Sequence, residues 1–173
     1  MDESIKGLTQ LAEREAATST GDGIVIVDET AYYHFKNHRR FRTIKEIIIH
    51  HSWSKTIDSM ARTLYNRGYG THYAISRAGV IHHLTPVNRV VSHCVHHNEV
   101  AIGIDIIRGE GQEILQCQYD ALNRLLDVLV RDHRIQNPQL HKSGIFYHRD
   151  LRPTECPGVI DDSKIHYCGG VKC

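Results

Sequence analysis

Apolar residues in this chain follow two different periods, and the periods sort it into strands and helices. Residues 46 to 52, EIIIHHS, set three isoleucines in succession with no polar alternation, the mark of a strand covered on both faces. VAIGIDIIR (100–108) has the same character, and IVIVDE (24–29) and GIFYHRD (144–150) read as shorter strands. HYAISRAGVIHHL (72–84) predicts a hairpin turning at Arg77-Ala78-Gly79. Between 117 and 132, Leu122, Leu125, Leu126 and Leu129 recur at helical spacing and predict the clearest helix of the chain. Residues 56–68 predict a second helix, with Ile57, Met60, Ala61 and Leu64 on one side and Gly68 closing it. Residues 3–18 predict a short polar helix with a thin stripe of Ile5, Leu8 and Leu11, followed by a flexible joint, TSTGDG. Strands interleaved with helices predict an α/β fold: a single domain over 24–173 with a central mixed β-sheet flanked by helices, and residues 1–23 as a helical extension.

Bulk composition narrows the function classes. At 173 residues the chain is long enough for one well-buried core, and 40% hydrophobic with 24% charged residues is ordinary for a soluble globular domain. A formal net charge of +1 provides no large field for nucleic acid or for an anionic membrane. The local run His38, Arg39, Arg40, Arg42 and Lys45 reads as a solvated surface rather than a polyanion site. No segment approaches membrane-spanning length, and the charged first residues lack the apolar stretch of a secretory signal. Synthesis in the cytoplasm is expected, with any work outside reached by another route. Five cysteines, an odd number, leave at least one free or on a metal, while Cys168 and Cys173 could bridge in an oxidising place.

Candidate chemistry gathers at predicted strand ends, where α/β folds tend to place their sites. His50 ends the isoleucine strand, His148 ends the last strand, and Cys156 follows in the loop YHRDLRPTECPG. Two imidazoles and a thiolate would suit zinc with one open position. A lone histidine after a strand is also a common surface residue, and a lone cysteine a common core residue, so spacing alone leaves both readings open.

The order of the motifs goes further. IIIHHS, a helix, GYGTHYAISRAGVIHHLTP, SHCVHHNEVAIGIDI, a leucine-rich helix and YHRDLRPTECPG together resemble the zinc-dependent N-acetylmuramoyl-L-alanine amidases, the superfamily of phage lysozyme-type amidases and peptidoglycan recognition proteins. The resemblance covers about residues 44 to 160. It implies Zn²⁺ on His50, His148 and Cys156, a catalytic tyrosine at Tyr73 and a second catalytic position at Thr154. It also implies that His93 and Asn98 line the substrate groove. His51 would point to the opposite face from His50, neutral and hydrogen-bonded. Two departures stand out: the cysteine pair of animal recognition proteins is missing after the first ligand strand, and the usual G-Y-H/N-F has become THYAI, with His72 beside the tyrosine. His72 reads as a groove or structural residue, and His82, His83, His96 and His97 as strand or loop surface.

The resemblance implies a hydrolase that cuts the amide between N-acetylmuramic acid and L-alanine in bacterial peptidoglycan. Zinc would act as Lewis acid and source of the nucleophile. A tyrosine is a poor base at neutral pH, so Tyr73 would donate a hydrogen bond to the developing oxyanion, and the general base is left without an owner. The alternative is a non-catalytic peptidoglycan-binding module, against which Cys156 counts, since members that only bind typically lose that ligand. A third reading closes the metal site with His72 or His51 as a structural fourth ligand. Expected settings are a phage endolysin, a delivered bacteriolytic effector with a delivery or immunity partner, or a recycling enzyme. The wall is the expected place of action in the first two.

Overall fold

The computed structural model describes residues 17–19 and 23–168. Its strands are β1 (Ala17–Ser19), β2 (Val25–Asp28), β3 (Asn37–Arg39), β4 (Glu46–Ser52), β5 (Tyr73–Ile75), β6 (Ile81–His83), β7 (Arg89–Val91), β8 (Ala101–Ile107), β9 (Gln139–Leu140) and β10 (Gly144–Tyr147). Helices are α1 (Ile57–Asn66), α2 (Gln116–Asp132) and the single turn α3 (His148–Leu151). The extension predicted over 3–18 lies outside the described residues except at its end, where Ala17 and Thr18 belong to a strand paired antiparallel with β2. Among the described residues no helix is long and apolar enough to cross a membrane.

Eight strands form one mixed sheet in the order β1-β2-β6-β5-β8-β4-β10-β9, and β3 and β7 make a separate two-stranded ribbon. The centre is parallel: β5, β8, β4 and β10 all run the same way. Such a centre must be covered on both faces, which is why β4 and β8 carry isoleucine runs instead of alternation. Side chains alternate across a strand, so the register assigns every residue to a layer. Ile47 and Ile49 pair with Ile102 and Ile104 and face α2, where Leu122, Leu125, Leu126 and Leu129 complete the main core. Ile48 pairs with Gly103 and His50 with Asp105 on the other face. There Ala74, Ile107 and Leu84 pack against Ile57, Met60 and Ala61 of α1.

Local signals place the helices. Thr56 caps α1, accepting from the Ser59 amide at 3.2 Å while the Ser59 hydroxyl answers the Thr56 amide at 3.3 Å. The predicted hairpin forms, β5 antiparallel to β6, with Gly79 at φ 77° in the turn. The last strand is shorter than predicted: it stops at Tyr147 and His148 opens α3. Asp150 causes the stop, since its carboxylate accepts from the Tyr147 amide at 2.7 Å and so fixes the start of the helical turn.

Candidate functional site

Parallel strands β4, β8 and β10 end at a cleft of about 460 Å³. His50 reaches it from β4, His148 from the first position of α3, and Cys156 from the loop that follows. Their ligand-type atoms all lie within 4.8 Å of one another, and Cys156 Sγ is 3.8 Å from His50 Nδ1. Two donors on one tetrahedral ion with bonds of about 2.0–2.3 Å sit roughly 3.5 Å apart, so the spacing fits a shared ion. The protonation chemistry fits as well. Burial first, then the neighbouring His148 and His51, lower the His50 pKa to about 3, which leaves the neutral imidazole a metal requires. Burial pushes the Cys156 thiol up to about 12, although the His51 amide donates to its sulfur at 3.4 Å and works in the opposite direction. An ionised sulfur at this depth therefore needs a cation beside it. Two nitrogens and one sulfur suit Zn²⁺.

The cleft lining includes His93 and Asn98, the expected groove residues, and Thr154, the expected second catalytic position. Their roles differ from simple lining. His93 Nδ1 stands 3.1 Å from His50 Nε2, so the ring addresses a member of the His50, His148 and Cys156 group. Asn98 Oδ1 accepts from the His93 and Cys94 amides at 2.9 and 2.7 Å and holds that loop in shape. Thr154 is exposed, and its hydroxyl accepts from the Cys156 amide at 3.3 Å. Glu155 is also exposed.

Tyr73 is not at the cleft. It pairs with Ile104, faces α2 as part of the main core, and stacks on His83 with ring centroids 4.6 Å apart. Strand alternation sends it to the face opposite His50. With this register, Gly70-Thr71-His72-Tyr73 lies on the family pattern G-Y-H/N-F so that Thr71 takes the tyrosine's place and Tyr73 the phenylalanine's. The catalytic assignment to Tyr73 is therefore corrected. His51 does lie across the strand from His50, and burial lowers its pKa to about 4, so it is neutral. Among the described residues its ring finds no hydrogen-bond partner, contrary to expectation; it rests edge-on against Trp53 at 4.7 Å.

Two residues were missed. Asp105, 6% exposed, lines the cleft beside His50 in the sheet register. Burial raises its pKa to about 7 against a smaller lowering by the Thr71 hydroxyl. The sequence held a signal: one carboxylate in the otherwise apolar run AIGIDII. Arg40, read as solvated surface, is half-buried and donates to the carbonyls of Val87, Asn98, Arg89 and Ala101. His72 is fully buried and structural: Nδ1 accepts from the Gly103 amide at 3.1 Å and Nε2 meets the Arg89 carbonyl at 3.0 Å. Among the described residues Cys94, Cys117, Cys156 and Cys168 form no disulfide with one another, and Cys173 lies outside them.

Comparison with known proteins agrees with this geometry. The family described as N-acetylmuramoyl-L-alanine amidase matches residues 40–159. The N-acetylmuramoyl-L-alanine amidase LysC from Clostridium intestinale is similar in structure, with 26% identity, a TM-score of 0.63, and coverage of 78% of this chain and 89% of that one. The Ph2119 endolysin from a Thermus scotoductus bacteriophage shares the fold at 21% identity and a TM-score of 0.64, covering 79% and 93%. Drosophila PGRP-LB does so at 20% identity and a TM-score of 0.60, covering 77% and 87%. A comparison with curated protein sequences gives no match. With the matched segment running from Arg40 to the loop beyond Cys156, the chain belongs to the N-acetylmuramoyl-L-alanine amidase family.

Proposed function

We propose that the chain is a zinc-dependent peptidoglycan amidase that hydrolyses the bond between N-acetylmuramic acid and L-alanine. The observation that carries this reading is the convergence of His50, His148 and Cys156 at the end of the parallel sheet with a buried carboxyl, Asp105, in the same cleft. Binding alone needs no such arrangement, and members that only bind typically lose the cysteine. His50, His148 and Cys156 would hold the metal, which when bound supplies Lewis acidity and lowers the pKa of water toward neutrality.

The chain's own residues divide the remaining work. Asp105, the one aspartate or glutamate among the described residues of the cleft lining, takes the proton of the attacking water and returns it to the leaving alanine nitrogen. Arg152, the one arginine or lysine among the described residues of the lining, faces the carboxylates of the stem peptide. Leu64, Tyr69 and Val95 add apolar surface to the same cleft, suited to the hydrophobic faces of the sugar and peptide. A closed structural site with His72 or His51 as fourth ligand is disfavoured, because His72 has both ring nitrogens engaged elsewhere and His51 points across the strand. We place the action on the cell wall, as a lysin or delivered effector.

Metal analysis of the purified protein, together with sacculus clearing by wild type and Cys156→Ser, tests the proposal. Zinc bound with clearing in the wild type, both lost in the variant, is the expected result. Clearing retained by the variant would remove Cys156 from the site, whereas zinc without clearing would favour the structural reading.

A further inference from the structure

We infer that His93 is a positioning residue that fixes the tautomer of His50, and that Gly103 exists to let it do so. The inference rests on the proposed metal site. His50 turns Nδ1 toward Cys156 Sγ, at 3.8 Å, and Nε2 toward His93 Nδ1, at 3.1 Å. A neutral imidazole carries one proton. If Nδ1 is to offer its lone pair to a metal, the proton must sit on Nε2, and Nε2–H then needs an acceptor. His93 Nδ1 is the acceptor in place.

The far side of that ring leaves Nδ1 free for the task. His93 Nε2 makes no hydrogen bond of ordinary geometry among the described residues. A proton on Nε2 of His93 keeps the Nδ1 lone pair pointed at His50, and no other interaction has to break when His50 becomes a ligand.

The surroundings hold the ring at that spot. Asn98 Oδ1 ties down the His93 and Cys94 amides, and Arg40 ties down the Asn98 and Ala101 carbonyls at 3.0 and 2.9 Å. Beneath the ring lies Gly103 on β8. A Cβ there would stand 3.0 Å from His93 Nδ1, 3.1 Å from Cγ and 3.3 Å from Cε1, tighter than ordinary contact. No positive φ calls for glycine at this position, so the ring above it is the reason that the strand carries no side chain.

Zinc competition against a chromophoric chelator, with no substrate present, tests the inference. His93→Leu keeps the bulk and removes the acceptor; Gly103→Ala keeps the acceptor and displaces it. Each should weaken zinc binding about 10- to 100-fold, the usual cost of losing a partner behind a metal-bound histidine. His93→Asn, whose amide oxygen can stand where Nδ1 does, should stay within about threefold of wild type. The cobalt-loaded protein supplies a second readout: its thiolate-to-metal absorption should broaden in the His93→Leu and Gly103→Ala variants and be kept in His93→Asn. Equal zinc affinity in wild type, His93→Leu and Gly103→Ala overturns the inference. If His93→Leu fails to fold, the contrast between Gly103→Ala and His93→Asn decides alone. No zinc binding by the wild type would instead reject the metal site itself.

Discussion

Replacing Asp105 by asparagine removes one proton-accepting oxygen and almost nothing else. The residue is 6% exposed, sits on β8 in register with His50, and shares the cleft with His50, His148 and Cys156. Asparagine has nearly the same shape and can still meet the Thr71 hydroxyl. Positioned general acid–base groups contribute about 10²–10⁴-fold, so turnover should fall by that factor, equivalent to about 2.7–5.5 kcal/mol of barrier. Stability should not fall with it. Burial already resists charge on this carboxyl, with its pKa raised to about 7, and a neutral amide avoids that resistance altogether. Turnover on purified sacculi, zinc stoichiometry and melting temperature, measured side by side, separate these effects. An Asp105→Asn enzyme within about threefold of wild-type turnover, with zinc bound, would refute the assignment.

Other substitutions probe the register and the supporting shell. Tyr73→Phe should leave turnover unchanged and stability within about 0.5 kcal/mol, since the ring packs on His83 in the opposite layer; a large loss in sacculus turnover would bring the hydroxyl back into the chemistry. His50→Ala should lose zinc and activity with the fold kept, while His51→Ala should keep zinc and lower the melting temperature by removing the contact with Trp53; metal analysis and thermal scans would expose a reversed pattern. His141 bridges Asp150 and Asp162 at 2.8 and 3.0 Å. Burial alone would lower its pKa, but the two carboxylates outweigh burial and raise it. A raised histidine pKa means stability that is full below about pH 6.5 and lost as pH rises through the folded value. His141→Gln should therefore cost most near pH 5.5, about 1 kcal/mol or less after solvent screening, and least near pH 9; chemical denaturation showing no such trend would contradict the bridge.

Much of this was legible in the chain. Long apolar runs and the leucine helix placed β4, β8 and α2 within a residue or so, because burial on both faces and a strong 3.6-residue period leave little ambiguity. The meeting of His50, His148 and Cys156 was also readable, from motif order more than from spacing. Tyr73 was misplaced because β5 is only three residues long and buried on both faces, so nothing in THYAI fixes which parity faces the cleft. Arg40 was misread because a charge run looks the same whether its members meet solvent or backbone carbonyls; only the return of 87–101 beside it supplies those acceptors. Asp105 was overlooked inside a strand read for its apolar residues, although a lone carboxylate in such a run is costly to bury and so marks a site.

Digestion of purified sacculi by the zinc-loaded protein, with mass spectrometry of the released material, tests the central claim most directly. The account predicts free stem peptides with a new L-alanine amino terminus, glycan strands whose N-acetylmuramic acid carries an intact lactyl carboxylate, and neither product from the Cys156→Ser protein. Cleavage elsewhere in the peptide or in the glycan, or no cleavage by a protein that holds its zinc, would contradict it.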